Sequence, residues 1–158
     1  MQNAEELGVE WLILADAAQI SGNKLFLLGG GWDQVAVRKL PITHRMAIAV
    51  SFHVPWNETN QKHSFEIEIT DSDGGEVGKV AGQFEVGRPT GIPKGSSQRS
   101  QLALDAAMEF KALGPYMIVT HVDGREQRTF TFNVIAGAGF VAVDQQSKTE
   151  GEGSEDSK

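Results

Sequence analysis

Residues 45–54 read Arg45-Met46-Ala47-Ile48-Ala49-Val50-Ser51-Phe52-His53-Val54. Met46, Ile48, Val50, Phe52 and Val54 occupy alternate positions, with Arg45, Ala47, Ala49, Ser51 and His53 between them. A helix would scatter the first set around its circumference, whereas a half-buried strand lines it up on one face. The same period returns at Phe65, Ile67 and Ile69, at Val80, Gly82, Phe84 and Val86, and at Phe130, Phe132 and Val134. Turn-forming residues separate these runs at Ser21–Lys24, Gly29–Gly31, Pro55–Asn57, Asp71–Gly75, Gly87–Pro89, Gly114-Pro115 and Asp123-Gly124. The pattern predicts an all-β, antiparallel Greek-key sandwich of about eight or nine strands, immunoglobulin-like in architecture.

Two segments compete with that reading. Gln101–Lys111 is rich in helix formers, yet Leu102, Leu104, Ala106, Met108 and Phe110 keep strict parity. Pattern overrides propensity when one face is buried, so a strand is predicted. Residues 10–20 also suit a helix by composition, but the Ser21-Gly22-Asn23-Lys24 turn before Leu25–Leu28 favours a hairpin, with both flanking runs apolar enough to be central strands. Near the other end, Tyr116–Val122 and Arg125–Val134 flank Asp123-Gly124, a pair suited to the two positive φ angles of a type I′ turn. Tyr116, after Gly114-Pro115, opens the penultimate strand, where a tyrosine hydroxyl can bond back to the chain at a sandwich corner. The Cys-Trp-Cys pattern of antibody domains is missing.

The hairpin segment Gly22-Asn23-Lys24-Leu25-Phe26-Leu27-Leu28-Gly29-Gly30-Gly31-Trp32, with Gly114-Pro115-Tyr116 and Val122-Asp123-Gly124, resembles a family of uncharacterised bacterial proteins. These are small immunoglobulin-like sandwich proteins, classed as a domain of unknown function, and the likeness covers roughly residues 9–135. It implies the sandwich fold and no activity, because its motifs are hairpin chemistry.

At 158 residues, with 40% hydrophobic and 22% charged residues, the chain has the size and composition of one globular domain. Residues 1–8 are expected as a flexible start, 9–136 as the sandwich and 137–158 as a C-terminal extension. From Asp144 the extension has no hydrophobic residue, and Asp144, Glu150, Glu152, Glu155 and Asp156 outnumber Lys148 and Lys158. Such a segment cannot offset its ordering entropy, so a disordered acidic tail is expected. The net charge of −7 argues against a general nucleic-acid binder. Zero cysteines exclude disulfides, thiolate catalysis and Cys-ligated metals. The acidic start Met1–Glu6 is unlike a signal peptide, and the apolar run Trp11–Ala15 is far short of the ~20 residues of a membrane helix. A bacterial, cytoplasmic protein with no membrane partner is the expectation.

Trp56, in the loop Pro55–Gln61, either packs back on the body or meets a partner, with Asn57 and Glu58 as hydrogen-bonding groups. Asn57-Glu58-Thr59 matches a glycosylation sequon, discounted without a secretion signal. The long connection Gly87–Gln98, with Arg88 and Lys94, leads into Arg99 and reads as a solvated crossover that an anionic ligand or acidic segment could also use. Trp56, Asn57, Glu58, Arg88, Lys94 and Arg99 form the candidate recognition surface. His53 and His63 flank the Trp56 loop; with Glu58 they approach a zinc set, but their spacing is no ligand signature, so both read as strand-end surface residues. Asp71–Glu76 reads as a tight turn, and nothing makes Asp33, Asp71, Asp73 and Asp123 converge on calcium. Gly29–Gly31 reads as a bulge before Trp32 rather than a dinucleotide loop, and Asp16 as a structural partner of backbone or of the Trp32 indole.

No Gly-x-Ser-x-Gly elbow and no helix-spaced carboxylate pair is found, so neither enzymatic activity nor a cofactor is expected. The resulting expectation is an interaction module that binds another protein or self-associates, the small outer row Ala47, Ala49 and Ser51 motivating the latter. The alternative is a small-ligand binder, for instance of carbohydrate, using Trp56 and the 87–99 loop.

Overall fold

The computed structural model describes residues 6–142. Nine strands follow one another among them: β1 (Gly8–Ser21), β2 (Lys24–Gly30), β3 (Gln34–Leu40), β4 (Ile42–Val54), β5 (Lys62–Thr70), β6 (Glu76–Glu85), β7 (Gln98–Phe110), β8 (Gly114–Val122) and β9 (Arg125–Ala142). A single 3-10 turn, Trp56–Glu58, is the only helical element of the described residues. The strands form a four-stranded sheet, β2-β1-β4-β7, and a five-stranded sheet, β3-β9-β8-β5-β6. All neighbours are antiparallel except β3, which runs parallel to β9.

Local chemistry accounts for two of the hairpins. Gly22 and Asn23 take φ of 54° and 59° between the paired Ser21 and Lys24, and Asp123 and Gly124 take 49° and 75° between Val122 and Arg125. Two consecutive positive φ angles match the right-handed twist of the flanking strands. The 101–111 segment is a strand: β7 pairs with β4 from Ile42 opposite Phe110 to Val54 opposite Gln98. Burial of the Met108 and Phe110 row outweighs the helical preference of its alanines, leucines and glutamate. The expected boundary at 136 falls inside β9, which continues to Ala142 by pairing with Lys39 and Leu40 of β3. The expected acidic tail lies outside the described residues.

The core lies between the sheets. Met46, Ile48, Val50, Phe52 and Val54 of β4 meet Phe65, Ile67 and Ile69 of β5, Ile118 and Val122 of β8, and Phe132 and Val134 of β9. The opposite row of β4 departs from expectation. Ala47, Ala49 and Ser51 are fully buried as well, so they offer no surface of their own. Across the sheet they stand opposite Ala15, Ile13 and Trp11 of β1, and opposite Asp105, Ala103 and Gln101 of β7. Each small side chain of this central strand has a larger one beside it on at least one side, Asp105 for Ala47, Ile13 for Ala49, and Trp11 and Gln101 for Ser51.

The Tyr116 hydroxyl donates to the carbonyl of Ala112 at 2.8 Å, tying the start of β8 to the turn before it. Burial raises the phenol's pKa above its usual value, against the pull of that bond, so the hydroxyl stays a donor through the neutral range. Tyr116→Phe is expected to lose about 1 kcal/mol, measured by urea denaturation, because the ring still packs and one hydrogen bond is lost. An unchanged denaturation midpoint would show that the corner bond contributes nothing net.

Candidate functional site

The most densely bonded polar cluster gathers at one end of the sandwich, around the first residues of β5. His63 was expected at the surface but is buried, with 2% exposure. Its Nδ1 lies 2.8 Å from Oδ2 of Asp123, and its Nε2 lies 2.7 Å from the carbonyl oxygen of Glu58. Neither acceptor has a proton to give, so both ring nitrogens donate and the imidazole is held as a cation. Burial opposes that charge, but the Glu58 carbonyl and the Asp123 carboxylate outweigh it and raise the His63 pKa above 6.5. Burial likewise works against the Asp123 carboxylate, while His63 and the Ser64 amide hold its pKa below 3.8.

Asp123 therefore does more than make a turn. Its Oδ1 accepts from the Ser64 amide at 2.9 Å, and its own amide donates to the Ser64 carbonyl at 2.9 Å. The β8–β9 turn is thereby clamped to the start of β5. Glu58 contributes its backbone; its carboxylate stands 3.9 Å from Nε2 of His63. Among the described residues, no group of three or more His, Asp or Glu side chains could hold a metal ion.

The candidate recognition residues divide between places. Trp56, Asn57 and Glu58 form the 3-10 turn, and Arg88 comes to them from the connection that follows β6. The Arg88 guanidinium sits 4.2 Å from the centroid of the half-buried Trp56 ring. Its Nε donates to Thr59 Oγ1 at 2.6 Å and its Nη2 to the Trp56 carbonyl at 2.9 Å. Lys94 is exposed in the connection before β7. Arg99 belongs to a different cluster, on β7, where its Nε and Nη2 reach the Glu10 carboxylate at 2.5 and 2.8 Å. Ser51 Oγ donates to the same carboxylate at 2.9 Å. The Arg99 fork holds Glu10 below the usual carboxylate range, against partial burial.

Three further readings are resolved by geometry. Asp71 Oδ1 accepts from the amides of Asp73 and Gly75 at 3.0 and 2.8 Å, so the Asp71–Glu76 stretch is a capped turn. Asp16 does not bond the Trp32 indole: its side chain is exposed beside Gly29, while Trp32 Nε1 is buried with no partner among the described residues. Gly29 takes φ 59°, a left-handed conformation glycine adopts without strain, and a Cβ there would push the Asp16 side chain aside. His53, the other flanking histidine, lies opposite Arg99 on the outer row of β4.

Edges differ sharply in charge. β7 carries Arg99, Asp105 and Glu109, β3 carries Arg38 and Lys39, and β6 carries Glu76, Lys79 and Glu85. Such charges discourage edge-to-edge pairing. β2 reads Lys24-Leu25-Phe26-Leu27-Leu28-Gly29-Gly30, with its one charge at the turn. Phe26, Leu27 and Leu28 are 57%, 38% and 71% exposed.

A family model matches residues 10–135, most of the strands just described. The chain belongs to the family of unknown function DUF6941. No curated protein matches it. Among solved structures, one similarity is to the Pseudomonas fluorescens alkylpurine DNA glycosylase AlkC bound to DNA containing an abasic site analog. It has 13% identity and a TM-score of 0.43, over 84% of this chain and 31% of that one. This DUF6941 member thus spans less than a third of the glycosylase, and so slight a likeness carries no argument about activity. No helix of the described residues is long and apolar enough to cross a membrane.

Sequence reasoning missed the His63–Asp123 pair and the exposure of β2. The first joins residues sixty positions apart, and no local signal could have found it. The second had one: Leu25–Leu28 is an apolar run without alternation, expected of a central strand, but β1 alone of the two is central and β2 is the end strand of its sheet.

Proposed function

We propose that this DUF6941 member is a non-enzymatic interaction module that associates through the free edge of β2. The observation that carries the reading is the contrast among the four edges: three bear charges along their length, and β2 presents Phe26, Leu27 and Leu28 to solvent. An exposed, uncharged edge strand is a template for a further strand, with main-chain hydrogen bonds giving affinity and alternate side chains giving selectivity. The strand of a second copy suits it. Antiparallel pairing about a two-fold axis at Leu27 sets Phe26 of each copy against Leu28 of the other, apolar against apolar with no like charges opposed.

The polar clusters favour a structural rather than catalytic use. Glu10, Arg99, Ser51, His63 and Asp123 are engaged with one another. Arg88 covers one face of Trp56, a face that a sugar ring would need, so the carbohydrate alternative has less support. We read the sandwich as immunoglobulin-like in topology. The sheet order β3-β9-β8-β5-β6, with its first strand parallel to the last strand of the chain, and the Tyr116 corner bond support that reading.

The test is light scattering after size exclusion, for the natural chain and for Phe26→Lys/Leu28→Lys. The natural chain is expected to elute as a dimer at high micromolar concentration, and the double variant as a monomer with an unchanged melting temperature. A natural chain that stays monomeric, or a variant that stays dimeric, counts against β2 as the self-association edge.

A further inference from the structure

A second surface, independent of β2, lies where β3 passes into β4 and the end of β9 comes alongside. A cleft of about 680 Å³ opens there, lined by Ala36, Arg38, Lys39, Ile42, His44 and Val141. Ala36, Ile42 and Val141 supply apolar walls. The imidazole of His44 is fixed by its neighbours, stacked on Phe110 with centroids 5.9 Å apart and edge-on to Trp32 at 6.4 Å. A volume of this order, apolar walls and a few placed polar groups are what small-molecule sites share.

The charge at this cleft runs against the rest of the molecule. The chain carries −7 overall, and the cleft beside Asp123 is lined by Glu6, Glu58, Asp123 and Glu126 against Arg125 alone. At the β3 cleft the charged residues are both cationic, Arg38 and Lys39. Among the described residues, the side chains of Arg38 and Lys39 enter no ion pair and make no hydrogen bond. Two adjacent unpaired cations in an acidic protein, at the mouth of an apolar cleft, are complementary to an anion with an apolar body.

We propose that this cleft binds a small soluble amphipathic anion, a carboxylate with an apolar tail. The carboxylate takes the Arg38 guanidinium and Lys39 ammonium as its partners, the planar fork of Arg38 suiting its two oxygens. The tail lies along Ala36, Ile42 and Val141, over the edge of His44. Neutral and cationic chains of the same length gain the apolar contact without the ionic one.

Decanoate below its micelle-forming concentration is the probe, titrated into the full chain by calorimetry, with decanol and decyltrimethylammonium as comparators. Saturable binding at one site per chain is expected, with decanol weaker by about tenfold or more, the size of effect that loss of a charge-assisted contact produces. Arg38→Glu/Lys39→Glu is expected to weaken decanoate by at least about tenfold at an unchanged melting temperature, while Arg38→Lys/Lys39→Arg keeps it within about threefold. Phe26→Lys/Leu28→Lys leaves it unchanged, which separates this cleft from the β2 edge. The absence of saturable binding up to low millimolar decanoate overturns the proposal. So does equal binding of decyltrimethylammonium, or a charge-reversed variant that binds as well as the natural chain.

Discussion

Phe110→Ala is expected to destabilise the protein by about 4 kcal/mol, which is a large share of the stability of an ordinary domain. Phe110 ends β7 and is fully buried. Its ring meets Tyr116 edge-on at 4.9 Å, Phe132 at 5.9 Å and His44 in a stack at 5.9 Å. Truncation removes the transfer free energy of a whole ring and leaves a cavity whose walls belong to both sheets, β4 and β7 on one side and β8 and β9 on the other. Walls anchored in separate sheets cannot collapse together, so the cavity term is not relieved. Urea denaturation followed by circular dichroism should show a lower midpoint at an unchanged slope. Phe110→Leu, which keeps most of the volume, should lose about 1.5 kcal/mol and keeps the comparison available if the alanine variant is largely unfolded. A loss below about 1.5 kcal/mol for alanine would mean that the aromatic cluster is not a shared core of the two sheets.

Removal of His63 should also destabilise the protein, by less than the core truncation, and its effect should depend on pH. His63→Ala leaves the Asp123 Oδ2 and the Glu58 carbonyl without their shared donor and breaks the link between the Trp56 turn and the β8–β9 turn. A loss of about 2 kcal/mol near pH 6 is expected, less than for a fully buried pair, because His63 is buried but the Asp123 carboxylate is 44% exposed and screened by solvent. Linkage sets the sign of the pH dependence. The folded-state pKa of His63 lies above 6.5, so its contribution is complete below 6.5 and is lost as pH rises through the raised value. The folded-state pKa of Asp123 lies below 3.8, so its contribution holds above 3.8 and is lost as pH falls through the lowered value. The pair therefore stabilises most between 3.8 and 6.5. Tyr116 and Lys79 titrate well above that window. Urea midpoints for the natural chain should decline from pH 6 to pH 8.5, and His63→Gln should flatten that slope. A natural chain equally stable across the range, or a glutamine variant with the same decline, would show that the imidazole is not held charged.

Much of the architecture was legible residue by residue. Met46 to Val54 announced a strand by alternation alone, and β4 is that strand. Asp123-Gly124 announced a two-residue turn, because few pairs tolerate two positive φ angles in succession, and Val122 and Arg125 pair across it. Gln101–Lys111 was decided correctly against its composition, because parity reports burial and propensity does not. The candidate site was less legible. The two flanking histidines were indistinguishable as letters, yet one is a buried cation and the other sits on the outer row of β4. Arg88 and Arg99 read as one basic loop, but a strand begins at Gln98 and carries Arg99 across the sheet to Glu10.

Sequence alone determined where this chain is extended, where it turns and which row of each strand seeks the interior, since alternation, positive φ and ring-closed φ are properties of neighbouring residues. Only the tertiary structure decided which strand became an unguarded edge, which histidine was sealed between two acceptors, and that Ala47, Ala49 and Ser51 would be buried on the row expected to face outward. Those outcomes depend on which residues, tens of positions apart, arrive at the same place, and short-range pattern holds no information about that arrival.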